Sequence, residues 1–298
     1  MSTWNGKSQA NVIGYQILYY IMKYAGIGTV YFILRFVALH FLIFSRQASQ
    51  CQWYYFRKRL NFSMSKSIFS MYQNYYLFGQ TLVDRVYMIS GMGKNFTFNF
   101  DGEEHITNML SQGKGAFLIS GHAGNWEIAG YLLNRIPAKI NIVIFEAEHE
   151  TVKTFLDGVK GKTHVQLITV NNNDFDHIYK INEAIENNEI VCLHADRFVA
   201  GSPTTAVDFL GAKAKFPTGP FILTTRLDAP LSFVYAMKEG RKHYHFFASE
   251  PINSKSNLSK IEKQKEVQQL VKRYVHSLEN MLHIYPQQWF NYYQFWNK

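Results

Sequence analysis

Apolar and polar residues form blocks along most of the chain, and these blocks predict strands and helices in turn. Eight short runs are apolar or strictly alternating, as β-strands are. They cover residues 96–100, 116–120, 141–145, 165–170, 190–194, 206–210, 231–236 and 244–248. Helical periodicity covers residues 61–88, 103–112, 126–133, 149–159, 174–187 and 259–284. This alternation predicts an α/β fold, with a mixed, mostly parallel sheet flanked by helices.

The N-terminal part of the chain has a different pattern. Residues 15–44 are aromatic and aliphatic almost throughout, interrupted mainly by Lys23, Arg35 and His40. The longest uncharged piece is shorter than the roughly 20 apolar residues that a bilayer span needs. We therefore predict a hydrophobic helical membrane anchor within residues 1–60, and favour one lying in the membrane interface. A single span and a helical hairpin packed on the protein's own core are the alternatives.

Composition and charge point to an anionic surface. Hydrophobic residues make up 47% of the 298 residues and charged residues only 18%, while the net charge is +9. An anionic membrane surface or an acidic protein would suit this balance. The cluster Arg46, Arg57, Lys58 and Arg59 would face anionic headgroups on the cytoplasmic side. The remaining basic residues are scattered, so no nucleic acid is predicted as a partner.

A histidine and a carboxylate lie where a predicted strand ends. The sequence SGHAGNWE fills residues 120–127, and Asn125 is a good cap for the helix that follows. His122 would lie outside the carboxyl end of a strand, where open α/β sheets bind their ligands. Glu127 would fold back from the first helical turn and orient the imidazole. Because a histidine held by a carboxylate is a general base, His122 and Glu127 are the predicted catalytic residues.

A second polar cluster follows the predicted strand 190–194. Asp196 would position the partner of the histidine or an acceptor molecule, while Arg197 and Lys215 would hold an anionic group or a developing oxyanion. Together with Asn125, these three residues form the predicted substrate-binding set. A local ion pair at a strand end is the alternative for Asp196 and Arg197, and a solvated loop is the alternative for Lys215.

Metal and serine chemistry are not predicted. The spacing expected of zinc ligands is absent from the set His122, Glu127, His149, His194 and Asp196. The sequence around Ser120 does not match the Gly-x-Ser-x-Gly elbow of serine hydrolases. His194 is predicted to be structural, and two cysteines are too few for a disulfide framework.

Several motifs resemble one family. Residues 121–127, Gly-His-x-Gly-Asn-Trp-Glu, resemble the His-x4-Asp/Glu motif of glycerolipid-type acyltransferases, and most of all that of the bacterial lipid A biosynthesis (late) acyltransferase family. Residues 195–197 and 207–211 resemble that family's Asp-containing loop and Phe-Phe-Gly stretch. Residues 216–230 resemble the segment ending in Gly-Ala-Pro, and 285–290 the terminal Pro-x-Gln-Trp signature. The resemblance covers most of the chain.

The resemblance implies a membrane enzyme on the cytoplasmic face of the bacterial inner membrane. Residues 61–298 would be the catalytic domain, moving a fatty acyl chain from acyl-carrier protein or acyl-CoA, as co-substrate, to a hydroxyl of a membrane lipid. His122 would deprotonate that hydroxyl, Glu127 would orient the imidazole, and no cofactor would be needed. Acyl-carrier protein is acidic and would complement the net charge of +9.

Two departures from the family pattern concern the acceptor. Members acting on lipid A usually carry an arginine after the third strand, but residues 145–161 contain none. Asp196-Arg197 also stands where the family commonly has Asp-Gln. The predicted acceptor is therefore a lipid A-like glycolipid or another envelope lipid or pigment. The alternatives are an N-acyltransferase that makes an amino-acid lipid and a membrane lipid-binding protein without catalysis.

Overall fold

The computed structural model describes residues 12–126, 128, 136, 138–145, 165–170, 176–199, 201–253 and 258–296. Its strands are β1 (Thr97–Asp101), β2 (Ala116–Ser120), β3 (Ile140–Phe145), β4 (Val165–Val170), β5 (Ile190–His194), β6 (Thr204–Phe209), β7 (Ala212–Pro217), β8 (Leu231–Gly240) and β9 (His243–Ala248). Its α-helices include α1 (Val12–Phe44), α2 (Arg46–Trp53), α3 (Met64–Ile89), α4 (Glu103–Ser111), α5 (Asp176–Glu186), α6 (Gly219–Leu227) and α7 (Lys260–Ile284).

Seven strands form one sheet in the order β1-β9-β8-β2-β5-β3-β4. Neighbouring strands are parallel throughout except for the antiparallel pair β8–β9. The predicted α/β fold with a mixed, mostly parallel sheet is therefore confirmed. The predicted helices 126–133 and 149–159 lie outside the described residues, apart from positions 126 and 128.

One strand was missing from the prediction, β7, which pairs with β6 in a separate antiparallel hairpin. Its sequence AKAKFP alternates alanine with lysine, and the two lysines are exposed while Ala214 is buried. Alanine is too weakly apolar for this alternation to predict a strand. Strand β7 is therefore identified only by its pairing with β6.

The centre of the sheet is buried on both faces, which explains the continuous apolar run of β2. Every residue of β2 is buried. Because side chains alternate along a strand, Phe117 and Ile119 join one apolar cluster with the α7 residue Tyr274. Ala116 and Leu118 point to the opposite face and join a second cluster with residues of α1 and α4. The layers are thus helix, sheet and helix.

One side of helix α1 packs against the rest of the protein, and the other side is exposed. It bends at Gly26, whose φ of 78° is outside the helical region and suits glycine. Met22, Val30 and Tyr31 are buried, whereas many other apolar side chains are exposed: Tyr20, Tyr24, Phe32, Ile33, Phe36, Val37, Leu39, Phe41, Ile43 and Phe44. The segment Tyr19–Phe44 is long and apolar enough to cross a membrane, by length and composition alone. The boundary predicted at residue 60 stays a prediction.

A buried ion pair fastens α1 and α3 to the sheet. Lys238 Nζ donates to Asp84 Oδ2 at 2.5 Å, and both side chains are almost completely buried. Tyr31 of α1 and Tyr244 of β9 also donate their hydroxyl hydrogens to the Asp84 carboxylate. Burial raises the pKa of Asp84 and lowers that of Lys238, while their mutual attraction opposes both shifts. Four elements therefore meet at one carboxylate.

We predict that removing one member of this pair strongly destabilises the fold. Lys238→Met should lower the free energy of unfolding by about 3–5 kcal/mol, because a buried carboxylate loses its countercharge. The double change Asp84→Leu/Lys238→Met should cost less than the sum of the single changes. Denaturant unfolding in detergent micelles measures all three.

Lys213→Met is the matched control, since Lys213 pairs with Asp208 at 2.8 Å on the exposed hairpin. Its effect should stay within about 0.5 kcal/mol. If Lys213→Met and Lys238→Met lower the free energy of unfolding equally, the buried pair stabilises the fold no more than the exposed pair does.

Candidate active site

Two neighbouring parallel strands bring the two polar loops together. The register of β2 and β5 places Ser120 opposite His194. The Ala195 amide donates to the Ser120 carbonyl at 2.9 Å and extends this ladder past the strand ends. His122 and Asp196 each follow the last residue of their strand by two positions, so they lie side by side. This is the edge of the sheet where α/β proteins bind ligands.

His122 is held by Asp196 through two hydrogen bonds. The ring Nδ1 lies 2.7 Å from Asp196 Oδ1, and the backbone amide of His122 donates to Oδ2 at 2.8 Å. A carboxylate only accepts hydrogen bonds, so Nδ1 carries the ring hydrogen and Nε2 keeps a lone pair. The side chain of His122 is 14% exposed and that of Asp196 is 2% exposed. The site therefore presents a partly accessible base.

The Asp196 carboxylate stays charged although it is buried. Burial alone would raise its pKa. The adjacent His122 ring and the Arg197 charge lower the pKa by more than burial raises it, so the pKa lies below its ordinary value. Trp289 Nε1 donates to Oδ2 at 3.2 Å and adds a third hydrogen bond. An anion with several fixed donors is rigidly oriented, so the imidazole it holds is oriented as well.

The C-terminal segment closes around the histidine loop. The Phe290 amide donates to the His122 carbonyl at 2.9 Å, and the Gly124 amide donates to the Gln288 carbonyl at 2.8 Å. The intervening residue is Trp289, which is itself bonded to the buried carboxylate. The Pro-x-Gln-Trp signature thus has a structural meaning. The sequence pattern located these residues but did not reveal their contact with the site.

Close approach of the two loops requires a glycine beside the histidine. A Cβ atom at position 121 would lie 2.6 Å from the Tyr274 hydroxyl and 3.1 Å from Asp196 Oδ2. That hydroxyl donates to the Ser120 carbonyl at 3.0 Å and fills the space behind the loop. A larger residue at 121 would push the histidine loop away from Asp196.

Asn125 supports the loop from inside the protein. Its Oδ1 accepts a hydrogen bond from the Ile128 amide at 3.3 Å, as a helix cap does. Its Nδ2 donates to the Thr81 carbonyl at 3.3 Å and to the Tyr244 hydroxyl at 3.2 Å, and Tyr244 in turn contacts Asp84. The residue is 2% exposed. These contacts use the polar atoms of Asn125 within the protein, and its predicted substrate-binding role stays a prediction.

The other predicted site residues have different positions. Arg197 donates from Nη2 to the Phe290 carbonyl at 2.9 Å, so it binds the C-terminal segment. Lys215 is exposed on β7, and no described contact joins it to His122. Glu127 lies outside the described residues. Asp196 hydrogen-bonds Nδ1 of His122, and the orienting role predicted for Glu127 stays a prediction.

His194 lies against the catalytic candidate without sharing a hydrogen bond with it. Its ring centroid is 4.6 Å from that of His122 and 4.9 Å from the indole of Trp126. Burial lowers the pKa of His194 to about 3, and the adjacent His122 ring adds to the shift. His194 is therefore neutral wherever the protein is folded near neutral pH, and it forms an uncharged wall beside the base.

This shift predicts a pH-dependent stability. Below pH 6.5 an unfolded chain protonates His194 while the folded protein does not, so stability falls as pH drops from about 6.5 towards 3. The free energy of unfolding of the parent protein should fall between pH 7.5 and 5.0, and His194→Gln should make that fall smaller by about 1–2 kcal/mol. Denaturant unfolding at both pH values, compared with the parent protein, measures the difference.

His283→Gln is the control, because His283 is exposed at the end of α7. It should leave the difference between the two pH values unchanged. If His194→Gln behaves like His283→Gln, burial does not keep His194 neutral.

The arrangement can remove a proton from a bound hydroxyl or amine. Nε2 of His122 has the lone pair that a base needs, and the Asp196 carboxylate can stabilise an imidazolium at this position. These two side chains supply both the base and its countercharge. Within the described ranges, no three His, Cys, Asp or Glu side chains are grouped closely enough to hold a metal ion.

Comparison with known proteins identifies sequence relatives of this chain. Phosphatidylinositol mannoside acyltransferase from Mycobacterium tuberculosis (strain H37Rv) is 28% identical over 141 residues, covering 47% of this chain and 44% of that protein. The Mycolicibacterium smegmatis protein of the same name is 26% identical over 137 residues, covering 46% and 45%. The chain thus spans about half the length of the curated relatives it matches.

Among solved structures, the 1-acyl-sn-glycerophosphate (LPA) acyltransferase PlsC from Thermotoga maritima covers 84% of this chain and 94% of its own. The sequence identity is 14% and the TM-score 0.40. The family model described as bacterial lipid A biosynthesis acyltransferase matches residues 71–298, which include both polar loops and the C-terminal signature. This chain belongs to the bacterial lipid A biosynthesis acyltransferase family.

Proposed function

We propose that this protein is a membrane-associated acyltransferase that moves a fatty acyl chain from an acyl thioester to a hydroxyl group of an envelope lipid. The observation that carries the proposal is the 2.7 Å contact between His122 Nδ1 and the buried Asp196 carboxylate at the ends of adjacent strands. Family membership supports the reaction class.

The reaction begins with a proton transfer. Nε2 of His122 takes the proton of the acceptor hydroxyl as its oxygen attacks the thioester carbonyl carbon, forming a C–O bond. The carbonyl electrons move to oxygen, and Asp196 stabilises the imidazolium. When the tetrahedral intermediate collapses, the C–S bond breaks and the thiolate takes the proton from His122. The products are an ester and a free thiol, and the histidine returns to its neutral form.

The donor would be acyl-carrier protein or acyl-CoA. Both are anionic, and the net charge of +9 favours the encounter with either one. The acceptor would be a lipid A-like glycolipid or another envelope lipid or pigment. The names of the sequence relatives specify phosphatidylinositol mannoside, which supports a sugar-bearing lipid. Arg197 and Lys215 remain the proposed contacts for its anionic groups.

Membrane association is proposed from α1 and the residues that follow it. The exposed side of α1 is apolar, with Phe32 and Phe36 each more than half exposed. The basic residues Arg46, Arg57 and Lys58 are exposed just beyond its end. A helix with one face on the protein and the other apolar face bare suits an interfacial anchor. The cytoplasmic face of the bacterial inner membrane is the proposed location.

We predict that the catalytic variants lose activity while staying folded. His122→Ala should lower kcat about 10²- to 10⁴-fold, because it removes the general base. Asp196→Asn should cause a loss in the same range, because a carboxamide donates to Nδ1 and moves the ring hydrogen to Nε2. Release of free thiol from an acyl thioester, with extracted membrane lipids as acceptor, measures the rate.

Two variants of matched chemistry control for nonspecific effects. His283→Ala removes an exposed histidine, and Asp228→Asn changes a carboxylate at a left-handed position that asparagine tolerates. Both should retain near-normal rates. Glu127→Gln tests the predicted second carboxylate directly: a loss equal to that of Asp196→Asn would assign Glu127 a share of the role.

The product identifies the acceptor. Lipid and pigment mass spectrometry would compare a deletion strain complemented with the wild-type gene or with His122→Ala. A product lacking one acyl chain in the deletion and His122→Ala strains is expected, and mild alkali should release that chain from the wild-type product. An alkali-resistant chain would instead indicate N-acyl transfer. A wild-type lipid profile in the His122→Ala strain would favour a lipid-binding protein without catalysis.

A further inference from the structure

A pocket separate from the histidine site lies between α1 and the turn that joins β8 to β9. It has a volume of about 510 Å³, and its walls include Arg35 of α1 together with Lys238 and Arg241. Tyr31 and Phe32 supply aromatic surface beside these cations. The pocket therefore combines positive charge with an apolar rim on the helix proposed to contact the membrane.

The guanidinium of Arg241 packs against α1 at Gly28. A Cβ atom at position 28 would lie 2.3 Å from Arg241 Nη2, so only a residue without a side chain leaves room for it. The backbone carbonyl of Arg241 accepts a hydrogen bond from Lys238 Nζ at 2.9 Å and lies 3.1 Å from the Tyr31 hydroxyl, which donates its hydrogen to Asp84. The turn is thereby fixed to the helix, and Arg241 is held in a defined place.

Arg35 approaches the same place from further along α1. It follows Gly28 by seven residues, which is about two helical turns and about 10 Å along nearly the same face. Side chains on a helix lean towards its N-terminus, and Arg35 lines the same pocket as Arg241. Its neighbours on the outer side are Phe32 and Phe36, which are 56% and 61% exposed.

Within the described part of the chain, neither guanidinium group has a carboxylate partner. Among the described residues, no ion pair within 4.0 Å involves Arg35 or Arg241. Lys238 is neutralised by Asp84. Glu239 also lines the pocket, but its carboxylate accepts from the Tyr285 hydroxyl at 2.5 Å and contacts His245 Nδ1 at 3.1 Å. Two like charges beside one pocket repel each other unless an anion lies between them.

We propose that this pocket binds a phosphate group, and that the group belongs to the headgroup of an anionic phospholipid. Planar guanidinium groups bind phosphate oxygens through paired hydrogen bonds. The lipid source is favoured over free phosphate because the exposed phenylalanines of α1 lie next to Arg35, where acyl chains would contact them. Such a site would hold a bilayer lipid against α1, and it does not depend on the acyl-transfer reaction.

Calorimetric titration of the 298-residue chain in dodecyl maltoside micelles tests the proposal. The probes are dihexanoyl-phosphatidylglycerol and inorganic phosphate, each titrated alone and in competition. The phosphatidylglycerol should bind more tightly than phosphate, and phosphate should displace it. Arg35→Gln and Arg241→Gln should each weaken lipid binding about tenfold or more, as expected for loss of a charged hydrogen bond.

A third variant changes the geometry of the pocket without changing its charge. Gly28→Ala forces the flexible end of Arg241 to move, and alanine is favourable within a helix. It should weaken lipid binding several-fold while the thermal unfolding temperature stays close to that of the parent. This variant decides the question if either arginine change unfolds the protein.

The double variant Arg226→Gln/Arg273→Gln removes the same charge from exposed positions outside the pocket and should bind as the parent does. Equal weakening by this control would assign the binding to net charge and overturn the site. Unchanged binding by Arg35→Gln/Arg241→Gln would overturn it as well. If inorganic phosphate binds as tightly as phosphatidylglycerol, the lipid assignment is wrong and the pocket is a site for soluble phosphate.

Discussion

The carboxylate of Asp196 is buried and charged, and the site depends on how that charge is neutralised. A lone carboxylate in the interior would take up a proton, because burial favours the neutral form. Here the imidazole and amide of His122 and the indole of Trp289 donate to it together. The same bonds that keep Asp196 ionised fix the ring of His122. The same contacts therefore neutralise the buried carboxylate and orient the predicted base, His122.

Those contacts join parts of the chain that are far apart in sequence. His122 follows β2, Asp196 follows β5 and Trp289 follows α7. The parallel register between β2 and β5 brings the first two together, while the C-terminal segment adds a strand-like pairing to the histidine loop. Truncation of the tail would remove a donor from a buried anion. The end of the chain thus belongs to the site and not only to the scaffold.

The buried pair Asp84–Lys238 plays a comparable part behind the site. Asp84 accepts from Tyr31 of α1 and Tyr244 of β9, and Tyr244 accepts from Asn125 beside the histidine loop. A continuous chain of hydrogen bonds therefore connects the proposed membrane-contacting helix to the site. The Asp84 carboxylate thus lies between α1 and the residue that supports the histidine loop.

The sequence by itself determined much of the strand pattern, because the central strands 116–120 and 190–194 are largely buried and read as apolar runs. Both agree with the structure at both ends, as does the edge strand 165–170. It also located His122 and Asp196 as polar residues after such strands. Only the tertiary structure decided that Asp196 orients the histidine and that Asn125 faces inward, because strand order and register are long-range properties. Spacing along the chain favoured Glu127, since local pattern cannot show which strands become neighbours.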